Sequence, residues 1–222
     1  SGEADQMNAK RFLRGPLFWI LLAVLLVLVG SSLVSGIGGP ERIDTSQAIA
    51  DIGAANRGLN VEVVVGDHQN RPDVGSNLTR QWIDRDSVDV VVDGGASSVA
   101  LAVNDIIRDK NKVFLNTSSA TSDLTGRACT PNTVHWTYDT WMLANGTGSA
   151  IVKSGGDTWF FLTADYAFGH SLEADASAVV KANGGTVVGA VRHPLNASDF
   201  SSFLLQAQAS KAKIIGLANA GG

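Results

Sequence analysis

Short apolar runs alternate with longer amphipathic stretches along most of the chain. Apolar runs rich in Val, Ile and Phe predict strands at 61–65, 88–93, 112–115, 133–136, 158–162, 186–191 and 214–217. Segments that begin with polar residues or end near Gly or Asn predict helices at 44–56, 73–84, 168–182 and 199–209. They also predict one helix that begins at about 97 and another that ends at 153. Strands alternating with helices of about ten to fifteen residues are typical of parallel βαβ units. The pattern therefore predicts an α/β fold with Rossmann-like parallel sheets.

The N-terminal part breaks this alternation. Residues 17–29 are an unbroken apolar run, and no charged residue occurs between Arg14 and Glu41. This stretch exceeds the roughly 20 residues needed to span a bilayer, and basic residues precede it, which orients the chain with its body outside. We expect a membrane anchor over 17–34. A cleavable signal peptide is the alternative, because the apolar core is short and small residues follow it.

The composition excludes several classes of function. A net charge of −4 and the lack of a basic stripe outside the N-terminus argue against nucleic-acid binding. The four histidines show no metal spacing, and no G-x-G-x-x-G loop is complete, so no metal or cofactor is expected. Asp165, His170 and Ser171 suggest a hydrolase triad, but no G-x-S-x-G elbow follows any strand. The sequence suggests no His or Asn partner beside Cys129, so we do not expect this cysteine to be a nucleophile. We therefore predict that the chain is not an enzyme.

Small hydroxyl residues follow two successive predicted strands. Ser97 and Ser98 come after the strand at 88–93, and Ser119 and Thr121 come after the next one. The carboxyl ends of parallel strands lie side by side along the edge where ligands bind. Helix N-termini and hydroxyls there suit a carboxylate or phosphate. The pattern indicates a binding cleft, although Ser and Thr are also common helix caps.

The N-terminal segment carries a resemblance of its own. Residues 7–20 (MNAKRFLRGPLFWI), the apolar run and residues 41–48 (ERIDTSQA) resemble the start of FtsH-type AAA+ zinc proteases. In that family the segment is an uncleaved transmembrane helix. No Walker loop or H-E-x-x-H helix follows, so only the anchor is carried over. A structural role in a membrane protease assembly is the alternative function.

From residue 51 to 222 the chain resembles the substrate-binding proteins of branched-chain amino-acid ABC transporters, which are type I periplasmic binding proteins. The resemblance lies in 67–75 (DHQNRPDVG), 93–103 (DGGASSVALAV), 116–125 (NTSSATSDLT), 135–139 (HWTYD), 162–169 (LTADYAFG) and 216–222 (GLANAGG). It implies two α/β lobes that close on a small amino acid or carboxylate. It also implies permease subunits as partners and an extracytoplasmic location.

The resemblance assigns ligand-binding roles in the first lobe. Ser98, next to Ser97, matches the serine that binds the ligand carboxylate. Ser119 and Thr121 match contacts to the ligand head group. We expect these four residues to line the cleft.

Two further ligand-binding residues are expected in the second lobe. Tyr166 matches an aromatic that closes over the ligand, with a core position as the alternative. Asn219 lies where a second-lobe loop approaches the cleft.

The resemblance also implies a layout with gaps. It divides the chain into a leader with anchor and linker at 1–40, a partial first lobe at 41–138 and a partial second lobe at 139–222. Nothing matches the family's central first strand, and the chain stops partway through the second lobe. We therefore expect a truncated fold, and a non-functional fusion fragment is a further alternative.

Overall fold

The alternation of strands and helices is confirmed where the structure describes the chain. A computed structural model describes Gly58 and residues 60–219. Its helices are α1 (Pro72–Asp84), α2 (Ser97–Lys110), α3 (Thr140–Lys153), α4 (Ala167–Ala182) and α5 (Ser201–Ala209). Its strands are β1 (Val90–Val92), β2 (Val113–Asn116), β3 (Thr133–His135), β4 (Thr158–Ala164), β5 (Thr186–His193) and β6 (Ile214–Ala218). A short 3-10 turn, Ser122–Leu124, follows β2. For each element that was both predicted and observed, the predicted ends lie within two residues of the observed ones.

The strands form two parallel sheets, with the orders β1-β2-β3 and β5-β4-β6. In the first sheet Val91 lies beside Phe114. In the second, Leu162 of the central strand lies between Val191 and Leu217. Parallel pairing requires a crossover between neighbouring strands. Helix α2 supplies it between β1 and β2 and α4 supplies it between β4 and β5, while the loop that holds the 3-10 turn connects β2 to β3. The predicted βαβ architecture is therefore confirmed.

The helix ends follow local chemistry. Pro72 is the first residue of α1, where its missing N–H costs nothing. Asp139 caps α3 by accepting a hydrogen bond from the Met142 backbone N–H at 2.7 Å. Asn111 ends α2 with a left-handed φ of 50°, a conformation that Asn tolerates better than most residues. These local signals account for where the three helices begin or end.

Each sheet has its own apolar core. The first core joins β1 and β2 to α2 and consists of Val91, Val99, Ala100, Val103, Ile107, Phe114 and Leu124. The second joins β4 to α3 and α4 and consists of Ala144, Val152, Trp159, Phe161, Ala176, Val179 and Val180. Burial of these side chains removes apolar surface from water and holds the strand ends in place.

The predicted strand at 61–65 is wrong. These residues are described and form no strand, and Val61 and Val65 are 48% and 83% exposed. An apolar run becomes a strand only when a neighbour pairs with its backbone, and β2 is the one described strand that pairs with β1. The sequence pattern shows that residues 61–65 are apolar, but it does not show whether another strand pairs with them.

Several predictions concern residues outside the described part. The helix predicted at 44–56 and the membrane anchor expected at 17–34 both lie there. Within the described residues, none of the helices combines the length and the apolar character that a membrane crossing needs. The chain from Gly66 onward groups into one compact unit. The division into lobes at 138/139 stays a prediction.

Candidate functional cleft

The ends of β1 and β2 lie side by side, as predicted, and their loops are bonded to each other. The Asp93 backbone N–H donates to the Leu115 carbonyl at 3.0 Å. The Ser119 hydroxyl donates to the Gly95 carbonyl at 3.0 Å, and the Ser118 hydroxyl donates to the Asp93 carboxylate. Parallel pairing places these two hydroxyl-rich loops at one sheet edge, where ligands bind in this type of sheet.

A cavity of about 80 Å³ opens at this edge. We call it the cleft. One side comes from the loops after β1 and β2, and the other comes from aromatic residues before α3 and at the start of α4. The lining residues are Gly95, Ala96, Ser97, Ser118, Ala120, Tyr138, Tyr166 and Phe168. The cleft is therefore polar on the first-sheet side and aromatic on the facing side.

The two predicted serines of α2 have different positions. Ser97 is 2% exposed and lines the cleft. The Ser98 hydroxyl accepts a hydrogen bond from the Ala167 backbone N–H at 3.2 Å, so it contacts the start of α4. Ser98 thus joins the two sides of the cleft.

Ser119 is held by a dense set of hydrogen bonds. Its backbone N–H donates to Asn116 Oδ1 at 3.0 Å, and its carbonyl accepts from Asn116 Nδ2 at 2.7 Å. The carbonyl also lies 2.8 Å from Nε2 of His135. Ser119 is 1% exposed and shapes the loop, while its neighbours Ser118 and Ala120 line the cleft.

Thr121 is fully buried and bonds across to α4. Its Oγ1 lies 2.6 Å from Oγ of Ser171, and it accepts from the Asp123 backbone N–H at 3.3 Å. Its neighbour Ser122 donates to Oδ2 of Asp175 at 2.8 Å, and Thr140 donates to the same oxygen at 2.6 Å. We call this group the polar seam. It ties the loop after β2 to α3 and α4.

Tyr166 lines the cleft from the residue before α4. Its ring centroid lies 6.0 Å from that of Phe168, at an angle of 36°. Burial, followed by the proximity of Tyr138, raises the pKa of Tyr166 to about 12. The phenol therefore stays neutral at physiological pH and offers both an apolar face and a polar tip.

Asn219 lies at the end of the second sheet and is absent from the cleft lining. With its amide nitrogen facing the acceptors, it donates to the Leu162 carbonyl at 2.9 Å and to His193 Nε2 at 3.2 Å. The His193 Nδ1 lies 2.9 Å from the Pro194 carbonyl, and its ring meets Phe200 edge-on at 4.9 Å. Asn219 thus ties the ends of three strands together.

Sequence reasoning left several cleft residues outside the predicted set, namely Gly95, Ala96, Ser118, Ala120, Tyr138 and Phe168. Ser118 and Ala120 are the immediate neighbours of predicted residues in the loop after β2, and the ligand contacts predicted for this loop stay a prediction. Tyr138 directly precedes the Asp139 cap, and this position before a helix is the sequence signal that could have identified it as a cleft residue. Within the described residues, no group of His, Cys, Asp or Glu could hold a metal ion.

A family model for periplasmic binding proteins matches residues 24–222. The chain belongs to the type I periplasmic binding protein family. Members are the solute-binding components of ABC transporters and work outside the cytoplasm, and they are not enzymes. The predicted family is confirmed, and its match begins inside the apolar run. No curated protein sequence matches the chain.

Solved structures agree with this assignment. A periplasmic binding protein from Burkholderia mallei is 57% identical, with a TM-score of 0.77. A branched-chain amino-acid ABC transporter ligand-binding protein from Burkholderia xenovorans is 36% identical, with a TM-score of 0.61. Both comparisons cover 80% of this chain and 47% of the other. A Rhodopseudomonas palustris solute-binding protein in complex with 3,4-dihydroxybenzoic acid is 26% identical, covers 72% and 44%, and has a TM-score of 0.64. The chain therefore spans about half the length of these relatives.

Proposed function

We propose that this chain captures a branched-chain amino acid or a similar small carboxylate and delivers it to the permease subunits of an ABC importer. The observation that carries the proposal is the cleft itself. Its polar side includes Ala96 and Ser97 at the N-terminal end of α2, where backbone N–H groups favour a ligand carboxylate.

The six predicted residues divide into two roles under this proposal. Ser97 and Tyr166 line the cleft and would contact the ligand. Ser98 and Thr121 would hold the two sides of the cleft at a fixed distance through their bonds to α4. Ser119 would shape the loop, and Asn219 would fix the strand ends behind the aromatic side.

A thermal melt tests this function directly. The full chain, kept in mild detergent, is heated with branched-chain amino acids and small carboxylates. A ligand at 100-fold excess over its Kd should stabilise the chain by about 2.7 kcal/mol, a clear upward shift of Tm. A panel that leaves Tm unchanged would contradict the proposal.

A pair of serine variants locates the binding site. Ser97→Ala should lower the ligand-induced shift, because Ser97 lines the cleft. Ser154→Ala is the matched control, since its hydroxyl bonds locally to the Ile151 carbonyl at 2.9 Å. Equal shifts in both variants would place the ligand elsewhere.

An aromatic carboxylate is the second candidate ligand. Three rings, those of Tyr138, Tyr166 and Phe168, line one side of the cleft, and they would stack on or meet the edge of a ligand ring. The R. palustris relative in complex with a dihydroxybenzoic acid supports this candidate. Competition between leucine and benzoate in the same melt decides between them.

We also propose that residues 17–34 tether the protein to the cytoplasmic membrane. The support is the charge-free apolar stretch behind a basic flank. Cell fractionation tests it: the tethered protein stays with membranes after a salt wash. A soluble extracytoplasmic form that begins after the apolar run would contradict it.

A further inference from the structure

The outer face of α3 is apolar, although surface helices usually present polar and charged residues to water. The buried face of the helix consists of Thr140, Ala144, Gly148 and Val152. The exposed residues on the opposite face are Met142, Leu143, Gly146 and Ala150. Met142 and Leu143 are 51% and 36% exposed, and neither lines the cleft. Exposed apolar patches of this kind are typical of contact surfaces between proteins.

The outer face carries opposite charges at its two ends. Asp139 caps the helix at its start, Lys153 is its last residue, and no charged residue lies between them. Among residues 60–219, neither of these two side chains is in an ion pair. Successive residues of an α-helix are rotated by about 100°, so Asp139, Gly146 and Lys153 lie along one line on the helix surface. The face is therefore negative at its N-terminal end, apolar in its middle and positive at its C-terminal end.

This charge arrangement is complementary to itself. Asp139 and Lys153 lie equally far from Gly146 along the sequence. When a second α3 packs antiparallel across Gly146, the Asp139 of each copy meets the Lys153 of the other. A two-fold contact uses the same patch on both subunits, and each of its pairs occurs twice. Such symmetry is expected for contact between two copies of one chain, whereas an unrelated partner does not require it.

The middle of the face allows two helices to approach closely. A Cβ at Gly146 would meet nothing within 4 Å, so the backbone there is open to a neighbour. Met142 and Ala150 also lie equally far from Gly146, on opposite sides of it. In the antiparallel pair the large Met142 of one copy therefore packs against the small Ala150 of the other, as side chains do when helices interlock.

We propose that two copies of the chain associate through the outer face of α3, as an antiparallel helix pair with Gly146 on the two-fold axis. Neither Met142 nor Lys153 lines the cleft, so the pair would leave ligand capture intact. The helix has 14 residues and is about 21 Å long. One such pair buries less than the roughly 1,200 Å² of a stable interface, so we expect a weak dimer with a Kd on the order of 100 µM.

Sedimentation equilibrium of the full chain in mild detergent measures the dimer. Gly146→Leu places a bulky side chain on the two-fold axis and should raise the dimer Kd at least about tenfold, because the contact becomes overpacked. Thr147→Leu is the matched control, since it adds the same side chain at an exposed position about 100° around the helix. Its Kd should stay within about twofold of the wild type. Association through the detergent micelle would be equal in both variants and would overturn the assignment.

A charge reversal tests the register of the pair. Lys153→Glu turns two exposed ion pairs into two like-charge contacts and should raise the Kd roughly tenfold at low ionic strength. Added salt should weaken the wild-type dimer and strengthen the variant dimer, because screening reduces both attraction and repulsion. Lys181→Glu is the control, because Lys181 is in the last turn of α4 and the change affects a helix dipole in the same way. Equal salt responses in wild type and Lys153→Glu would overturn the proposed register.

Cross-linking identifies what occupies the face. The variants carry Cys129→Ser, which removes the native cysteine of the chain. A short bis-maleimide should join Gly146→Cys to a second copy, because the two-fold axis brings both thiols together, and should join Thr147→Cys more slowly. A chain that stays monomeric well above the expected Kd overturns the proposal. A cross-link from Gly146→Cys to a different polypeptide in cell membranes also overturns it, because the face would then bind an unlike partner.

Discussion

The two sheets differ in the length and burial of their strands. Most of the predicted ligand contacts lie in loops that follow strands of the first sheet, which has the shorter and more exposed strands. The strands of the first sheet have three, four and three residues, and those of the second have seven, eight and five. Every residue of β4 after Thr158 is buried. In β1, by contrast, Val90 and Val92 are 44% and 46% exposed.

Side-chain bonds compensate for the short strands. Asn116 and His135 hold the Ser119 loop, and Ser119 holds the loop after β1. The polar seam then fixes the same region to α3 and α4. The cleft loops of the small sheet are thus kept in shape mainly by polar contacts, whereas the longer strands of the second sheet are held mainly by their apolar core.

The largest expected effect compares two buried phenylalanines. Phe161→Ala in β4 should lower the free energy of unfolding by about 3–5 kcal/mol, because a well-packed core cannot close the space. Phe114→Ala in β2 should cost about 3 kcal/mol, the lower end of that range, because the neighbouring strand β1 is short and two of its side chains are exposed, so the surroundings can relax around the gap. Chemical denaturation measures both. A larger loss for Phe114→Ala would overturn the ranking of the two sheets.

The next effect concerns a glycine under the aromatic side of the cleft. A Cβ at Gly169 would lie 2.1 Å from the Ala164 carbonyl oxygen, so α4 would have to move. Gly169→Ala should cost about 3 kcal/mol, at the upper end for overpacking, and should weaken ligand binding through Tyr166 and Phe168.

Gly146 in α3 provides the matched control. A Cβ there meets nothing within 4 Å. Gly146→Ala should therefore raise the free energy of unfolding by about 0.5–1 kcal/mol, since Ala restricts the unfolded chain more than Gly. A neutral Gly169→Ala would contradict the close approach of α4 to β4.

A smaller effect is expected in the polar seam. Thr121→Val leaves the Ser171 hydroxyl buried without its partner and should cost about 1–3 kcal/mol. Adding Ser171→Ala should recover part of that loss, because both polar groups are then absent. Thr125→Val, at an exposed hydroxyl, should stay within about 0.5 kcal/mol. Additive losses would show that the two hydroxyls do not interact.

The sequence predicted the elements well because their signals are local. The Asp139 cap and the Gly155 turn, with φ +98°, mark the ends of α3 without reference to the rest of the fold. The strand at 61–65 was wrong because pairing is not local. Neighbouring parallel strands predict which loops come together at one sheet edge, but which side chains of a loop face the cavity depends on tertiary contacts. Ser118 lines the cavity, whereas Thr121 contacts Ser171.

The smallest effect distinguishes Tyr138 and Tyr166, the two tyrosines of the chain. Burial and the nearby Tyr138 raise the pKa of Tyr166 from its ordinary value of 10 to about 12. The unfolded chain then ionises first, so the stability that Tyr166 contributes is complete below about pH 10 and is lost between about pH 10 and 12. An absorbance titration of phenolate should show a late phase that Tyr166→Phe removes and Tyr138→Phe retains. Removal of the late phase by Tyr138→Phe instead would reverse the roles of the two rings. On the aromatic side of the cleft, the phenol of Tyr166 would then be exposed and that of Tyr138 would be buried.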